Sequence, residues 1–193
     1  MLKITGGELR GRNLRTPPGL ETRPTAAKVR QALFNILAER VAGAVVADLY
    51  AGGGTLGIEA LSRGAASCLF VEQRRQALGA LRENLASLGL GARARVVATD
   101  AGRAGGWLAG LAPLDLVLAD PPYGQGQVAR LAALLAAGGL LAPQGLMVIE
   151  HSPRERPPLL AGLALADRRA YGQTELSFLA LAGGAPTPAD PTA

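Results

Sequence analysis

The chain has 193 residues, of which 49% are hydrophobic, with a net charge of +5, one cysteine (Cys68) and one histidine (His151). That length suits a single domain with a sizeable core. One cysteine excludes an internal disulfide, and one histidine excludes a histidine metal cluster, so no metal is expected. No apolar run approaches the length of a membrane span and no charged-then-apolar leader opens the chain; the expected setting is the cytoplasm.

In chain order, residues 2–16 alternate weakly around Gly6, Gly7 and Gly11, which predicts a short twisted hairpin. Pro17-Pro18-Gly19 breaks it, and Thr25 is placed to cap a helix reaching about Arg40, with Val29, Leu33, Ile36 and Leu37 as its apolar stripe. Residues 1–30 carry seven basic side chains against two acidic ones, a surplus equal to the net charge of the whole chain. Such asymmetry predicts a phosphate-binding arm built on Lys3, Arg10, Arg12, Arg15 and Arg23. Buried strands are then expected over 44–50, 67–72, 94–99, 114–119 and 145–150. Helices are expected over 55–62, 74–88, around Trp107, and over 127–137. Residues 163–170 and 175–181 read as an antiparallel pair, and the tail after Gly183 as disordered. Alternating strands and helices predict an α/β, Rossmann-like, doubly wound sheet of seven strands, the last hairpin antiparallel. The expected organisation is residues 1–43 as basic hairpin and helix, 44–183 as the main domain and 184–193 as tail.

Two stretches carry chemistry. Gly52-Gly53-Gly54-Thr55-Leu56-Gly57 fits G-x-G-x-x-G, with Glu72 where a ribose-binding acid belongs. A diphosphate prefers bare N–H groups at a helix start without negative charge nearby, and Asp48 ends the strand entering this turn. Asp48 would instead attract a cationic amine, Glu72 two ribose hydroxyls, and Asp100 an adenine amino group. Three acids ending three successive strands describe S-adenosylmethionine. A nicotinamide oxidoreductase is the rival reading. The candidate contacts are Asp48, Tyr50, Ala51, Gly52, Gly54, Leu56, Gly57, Glu72, Gln73, Asp100 and Ala101.

The second stretch, Asp120-Pro121-Pro122-Tyr123, follows the strand over 114–119. The prolines stiffen the backbone and remove its donors. A carboxylate, a free carbonyl and a ring suit an exocyclic amine on a base stacked over Tyr123. The alternative is a strand-ending turn with an exposed tyrosine.

Asp48 to Gly57 together with Asp120 to Tyr123 resembles the class I methyltransferases that act on exocyclic amines. Residues 4–16 and 23–37, with Tyr171-Gly172-Gln173-Thr174-Glu175-Leu176, are similar to the RsmD family of bacterial rRNA methyltransferases. The resemblance implies S-adenosylmethionine as cofactor, S-adenosylhomocysteine as product, and methylation of guanine N2 at guanine 966 of 16S rRNA in the small subunit or a late precursor by a monomer. It also implies that Arg23 to Thr25 lie by the methionine end of the cofactor. Gln31 departs from the family, which usually carries an acid there. The other readings are adenine N6 methylation of DNA or RNA, and a silent RNA-binding assembly factor.

Overall fold

A computed structural model describes residues 2–16, 24–103 and 113–184, without the side chains of residues 24–26. Its centre is a parallel sheet whose strands are apolar on both faces, as the sequence runs require. The strands are β1 (Leu2–Lys3), β2 (Asn13–Leu14), β3 (Val45–Leu49), β4 (Ser67–Glu72), β5 (Ala94–Ala98), β6 (Leu114–Ala119), β7 (Leu141–His151), β8 (Leu163–Tyr171) and β9 (Thr174–Leu181). The helices are α1 (Pro24–Ile36), α2 (Ala38–Val41), α3 (Thr55–Ser62), α4 (Arg75–Ser87) and α5 (Gln127–Ala136).

The main sheet has seven strands in the order β5-β4-β3-β6-β7-β9-β8. β5 through β7 are parallel, whereas β9 is antiparallel to both β7 and β8. The order reverses at β3, beside β6, which puts the switch point of the sheet between the ends of those two strands. Apolar clusters cover both faces: Phe34, Phe70, Leu81 and Phe178 on one, Leu131, Leu135, Met147 and Leu179 on the other. Each such side chain contributes about 1.5–3 kcal/mol when fully buried.

The β1–β2 hairpin is expected from the sequence, but it is fused to the main body. Leu2, Ile4 and Leu14 are buried in the first cluster. Glu8 N–H donates to Ser62 O (2.8 Å), Leu9 N–H to Ser62 Oγ (3.0 Å), and Ser62 Oγ donates to Gly6 O (2.6 Å). A Cβ on Gly7 would lie 1.8 Å from Ser62 O, and its φ is +76°, so only glycine fits. Beneath sits Glu59, 1% exposed. Its carboxylate accepts from Thr5 N (2.9 Å), Thr5 Oγ1 (2.7 Å) and Arg63 Nε (2.9 Å), with Arg30 Nε at 3.5 Å. Arg30, 4% exposed, also donates from Nη2 to Lys3 O (2.7 Å), and burial lowers its pKa. Its charge therefore serves the fold.

Three expectations are corrected. The first helix stops at Ile36, because Leu37 leaves helical geometry (φ −85°, ψ 1°) and Arg40 N–H bonds Leu37 O in a tighter turn. That helix also starts at Pro24, so Thr25 lies inside its first turn and does not cap it. β7 begins at Leu141, four residues before Gly145, despite Pro143; a register shift opposite Leu114–Leu116 admits the proline. A Cβ on Gly145 would stand 2.6 Å from Leu114 O, which explains the glycine. The helix expected around Trp107 and the tail from residue 185 lie outside the described residues. Among the described residues no helix is long and apolar enough to cross a membrane.

Candidate active site

Asp48, Glu72, Asp100 and Asp120 come together along the carboxyl edge of the sheet, at or just past the ends of β3, β4, β5 and β6. β3 and β4 are in register at Leu49 and Val71, and β3 and β6 at Leu49 and Ala119, so the strands end level. Asp48 is 1% exposed. Its Oδ2 accepts from Gly57 N (2.8 Å), tying the strand end to the start of α3. Burial pushes its pKa up to about 7 against the pull of that N–H, and the charges of Asp120 and Glu72 add to the rise.

The glycine turn is shaped by close packing. Tyr50 has φ +59°, a left-handed conformation costly for a bulky residue. Ala51 N–H bonds Val71 O (3.1 Å), and Gly54 N–H bonds Ala51 O (2.7 Å). A Cβ on Gly54 would meet Leu81 Cδ1 at 2.5 Å, and one on Gly57 would meet Phe70 Cε1 at 2.3 Å. These glycines thus let α3 approach β4 and α4. Leu56 is partly buried behind them. Glu72 differs from expectation: its oxygens already hold backbone. Oε2 accepts from Gly52 N (2.8 Å), while Oε1 accepts from Gln73 N (2.9 Å) and Arg74 N (2.7 Å) and from Arg74 Nε (3.4 Å). Two ribose hydroxyls cannot take both oxygens; a lone pair of Oε2 is the acceptor this geometry leaves. Asp100 is partly exposed and accepts Gly102 N–H on Oδ1 (2.9 Å), beside buried Ala101. Tyr50 Oη donates to Gln127 Oε1 (2.9 Å). Burial first, and then the Asp100 charge, lift the Tyr50 pKa to about 12, against Arg130.

In the tetrapeptide after β6, Pro121 is buried and Pro122 exposed, and Tyr123 is 47% exposed. Asp120 opens to solvent, yet the protein around its carboxyl raises the pKa to about 6, with Arg74 pulling it down. Tyr123 Oη lies 3.4 Å from Glu150 Oε1. Burial, followed by the Asp120 charge, raises Glu150 to about 8, with the Tyr123 hydroxyl lowering it. Glu155 accepts from Gly124 N (2.7 Å) and Gly126 N (3.1 Å), fixing the loop after the tetrapeptide.

Lys3, Arg10, Arg12 and Arg15 are exposed on the hairpin. Arg15 Nη1 pairs with Glu83 (2.7 Å), and Arg12 Nη2 donates to Ser87 O (3.4 Å). Arg23 and the side chain of Thr25 lie outside the described residues, and Gln31 is exposed on α1. Among the described residues no three potential metal ligands cluster.

The family model described as conserved hypothetical protein 95 matches residues 2–180. The chain belongs to this family, the RsmD family. The Escherichia coli RsmD relative named ribosomal RNA small subunit methyltransferase D is 37% identical over 177 residues, 89% of this chain and 86% of its own. The solved structure of Escherichia coli yhhF has a TM-score of 0.81 at 37% identity, covering 93% of this chain and 97% of that one. The Thermus thermophilus 16S rRNA N2 G1207 methyltransferase, solved with AdoMet and guanosine, shares the fold at 20% identity. Its TM-score is 0.64, over 85% of this chain and 44% of its own.

In this RsmD chain, sequence reasoning missed Asn84, Gln127, Glu150 and Glu155. Asn84 is 1% exposed; its Nδ2 donates to Gly53 O (2.8 Å) and Arg15 O (3.0 Å), and its Oδ1 accepts from Arg15 N (2.8 Å). It joins the hairpin to the glycine turn. Only Glu150 had a sequence signal, since it too is an acid near the end of a parallel strand.

Proposed function

We propose that this protein transfers a methyl group from S-adenosylmethionine to N2 of a single guanine of 16S rRNA, guanine 966 by family resemblance, in the small ribosomal subunit. The observation that carries this reading is the occupation of the glycine turn. Gly52 N–H is held by Glu72, Gly54 N–H by Ala51 O, and Gly57 N–H by Asp48. A dinucleotide diphosphate needs such N–H groups open and no carboxylates beside them. The same edge offers Asp48 to an ammonium, Glu72 Oε2 to a ribose hydroxyl and Asp100 to an adenine amine. The donor set therefore fits S-adenosylmethionine, and the names of the RsmD relatives support an rRNA substrate. When bound, S-adenosylmethionine supplies a methyl group activated on a sulfonium.

The chain's own residues prepare the amine. Guanine N2 is a poor nucleophile because its lone pair is conjugated into the ring. Asp120 and the Pro121 carbonyl each accept one N2–H, which turns the lone pair out of conjugation and toward the methyl group. Positive charge then grows on nitrogen beside a carboxylate already in position. Tyr123 stacks on the extruded base, a contact of roughly 1–3 kcal/mol.

Nucleoside mass spectrometry of 16S rRNA from cells lacking the gene tests this reading. One N2-methylguanosine disappears, and purified enzyme restores it on small subunits with labelled S-adenosylmethionine. Loss of N6-methyladenosine instead, or an unchanged profile, would overturn it.

A further inference from the structure

β6 and β7 are parallel neighbours, with Leu118 opposite Val148 and Ala119 opposite Ile149. Continuing that register places Asp120 beside Glu150. Leu118 and Val148 lie in one apolar cluster, and Ala119 and Ile149 in the other. With side chains alternating along a strand, Asp120 and Glu150 project to the face of Leu118 and Val148, on strands about 4.8 Å apart. Glu150 is half-buried and, among the described residues, has no ion-pair partner. Its Oε1 faces the Tyr123 hydroxyl, and among the described residues no donor is bonded to Oε2.

A purine that offers its amine to Asp120 and Pro121 also presents the next atom of its Watson–Crick edge. In guanine that atom is N1 carrying a hydrogen; in adenine it is N1 carrying a lone pair. We propose that Glu150 accepts the N1–H of the target guanine and so makes this site select guanine over adenine. The inference rests on the guanine-N2 reading and assigns to this chain the residue that reads the base. Asp120 and Pro121 alone would grip any aryl amine. A second carboxylate on the adjacent strand adds the missing polarity: it attracts a donor and repels a lone pair. Tyr123 serves the same arrangement, since its ring supports the base while its hydroxyl holds Glu150 in place.

The test uses small subunits reconstituted with 16S rRNA carrying either guanine or 2-aminopurine at the target. 2-Aminopurine keeps the 2-amino group but lacks N1–H. Wild-type enzyme should methylate guanine faster by roughly ten- to a hundredfold, the worth of one charge-assisted hydrogen bond. Glu150→Leu should slow guanine by about that factor and 2-aminopurine far less, collapsing the preference. Glu150→Gln, whose amide oxygen can still accept N1–H, should recover part of the guanine rate. In the wild type the preference should also grow as pH rises toward 8, as Glu150 ionises beside Asp120 and the Tyr123 hydroxyl. It should stay flat with pH in Glu150→Gln. Equal losses on both bases would assign Glu150 a merely structural role and overturn the inference, as would a wild-type enzyme that treats the two bases alike. An N2-methylated product with those results leaves the proposed function standing; N6-methyladenosine as the wild-type product overturns both.

Discussion

Two buried carboxylates show how differently one fold treats the same group. Glu59, under the hairpin, is surrounded by donors: the Thr5 amide and hydroxyl, Arg63 and Arg30. Asp48, at the edge of the sheet, is as deeply buried but among the described residues its carboxylate receives only the Gly57 N–H, with two further acids close enough to raise its pKa. A buried charge with a full set of partners is consistent with structure alone. One that remains under-paired, on a sheet edge among others like it, is the pattern of a site waiting for a cationic or donor-rich ligand. The contrast extends outward. The hairpin junction joins acid to base, whereas the sheet edge sets Asp48, Asp120 and Glu150 close together, with Arg74 lowering the pKa of Asp120.

The largest expected effect lies at the edge. Asp120→Ala should lower single-turnover methyl transfer by at least about 10²–10³-fold, the cost of removing a preorganised electrostatic group. S-adenosylmethionine affinity by calorimetry should stay within a few fold. A near-wild-type transfer rate would sink the mechanism.

The junction should fail in the opposite way. Glu59→Ala leaves Arg30 buried without a counter-charge and should destabilise the fold by about 3–5 kcal/mol, a melting point lower by roughly 6–20 °C. Calorimetric melting checks this. An unchanged midpoint would place Glu59 among the functional acids and erase the contrast.

Asp48 sharpens the comparison through pH. Its folded pKa, about 7, stands above the ordinary aspartate value of 3.8. A carboxyl raised on folding favours the folded state when protonated, so its cost grows as pH rises from about 4 through about 7. Asp120 and Glu150 shift the same way. Asp48→Asn keeps an oxygen for Gly57 N–H and should stabilise the cofactor-free protein above pH 7 by as much as roughly 4 kcal/mol. It should also weaken S-adenosylmethionine binding. Melting curves against pH for both proteins decide it; a destabilised variant with unchanged pH slope would mean the ionised acid is satisfied.

The smallest effect belongs to the exposed side of the hairpin. Neutralising Lys3, Arg10, Arg12 and Arg15 should leave the fold and cofactor binding intact, because exposed pairs such as Arg15 with Glu83 are worth about 0–1 kcal/mol. Small-subunit binding should lose about 0.7–0.9 of salt slope per phosphate contact, roughly three for four contacts. Equal slopes would move RNA docking elsewhere. Loss of cofactor binding would instead trace the route through Asn84, which bonds both Arg15 and Gly53.

Much of this molecule is local and therefore legible in one dimension. Apolar runs ending in acids mark β3, β4 and β6 with the observed ends or nearly so, and Thr55–Ser62 is helical as the pattern predicts. Parallel strands flanked by helices bury both faces, so periodicity and breakers suffice to find them. The hidden parts are those set by partners far apart in sequence. No pattern says that Glu72 already holds Gly52, that Glu59 faces Thr5 and Arg30, or that Asn84 spans the hairpin and the glycine turn. A sequence can place an acid at the end of a strand, because backbone geometry is written locally. Which lone pairs remain for a ligand depends on the donors that tertiary packing brings within hydrogen-bond reach, and only the assembled sheet put Glu150 beside Asp120.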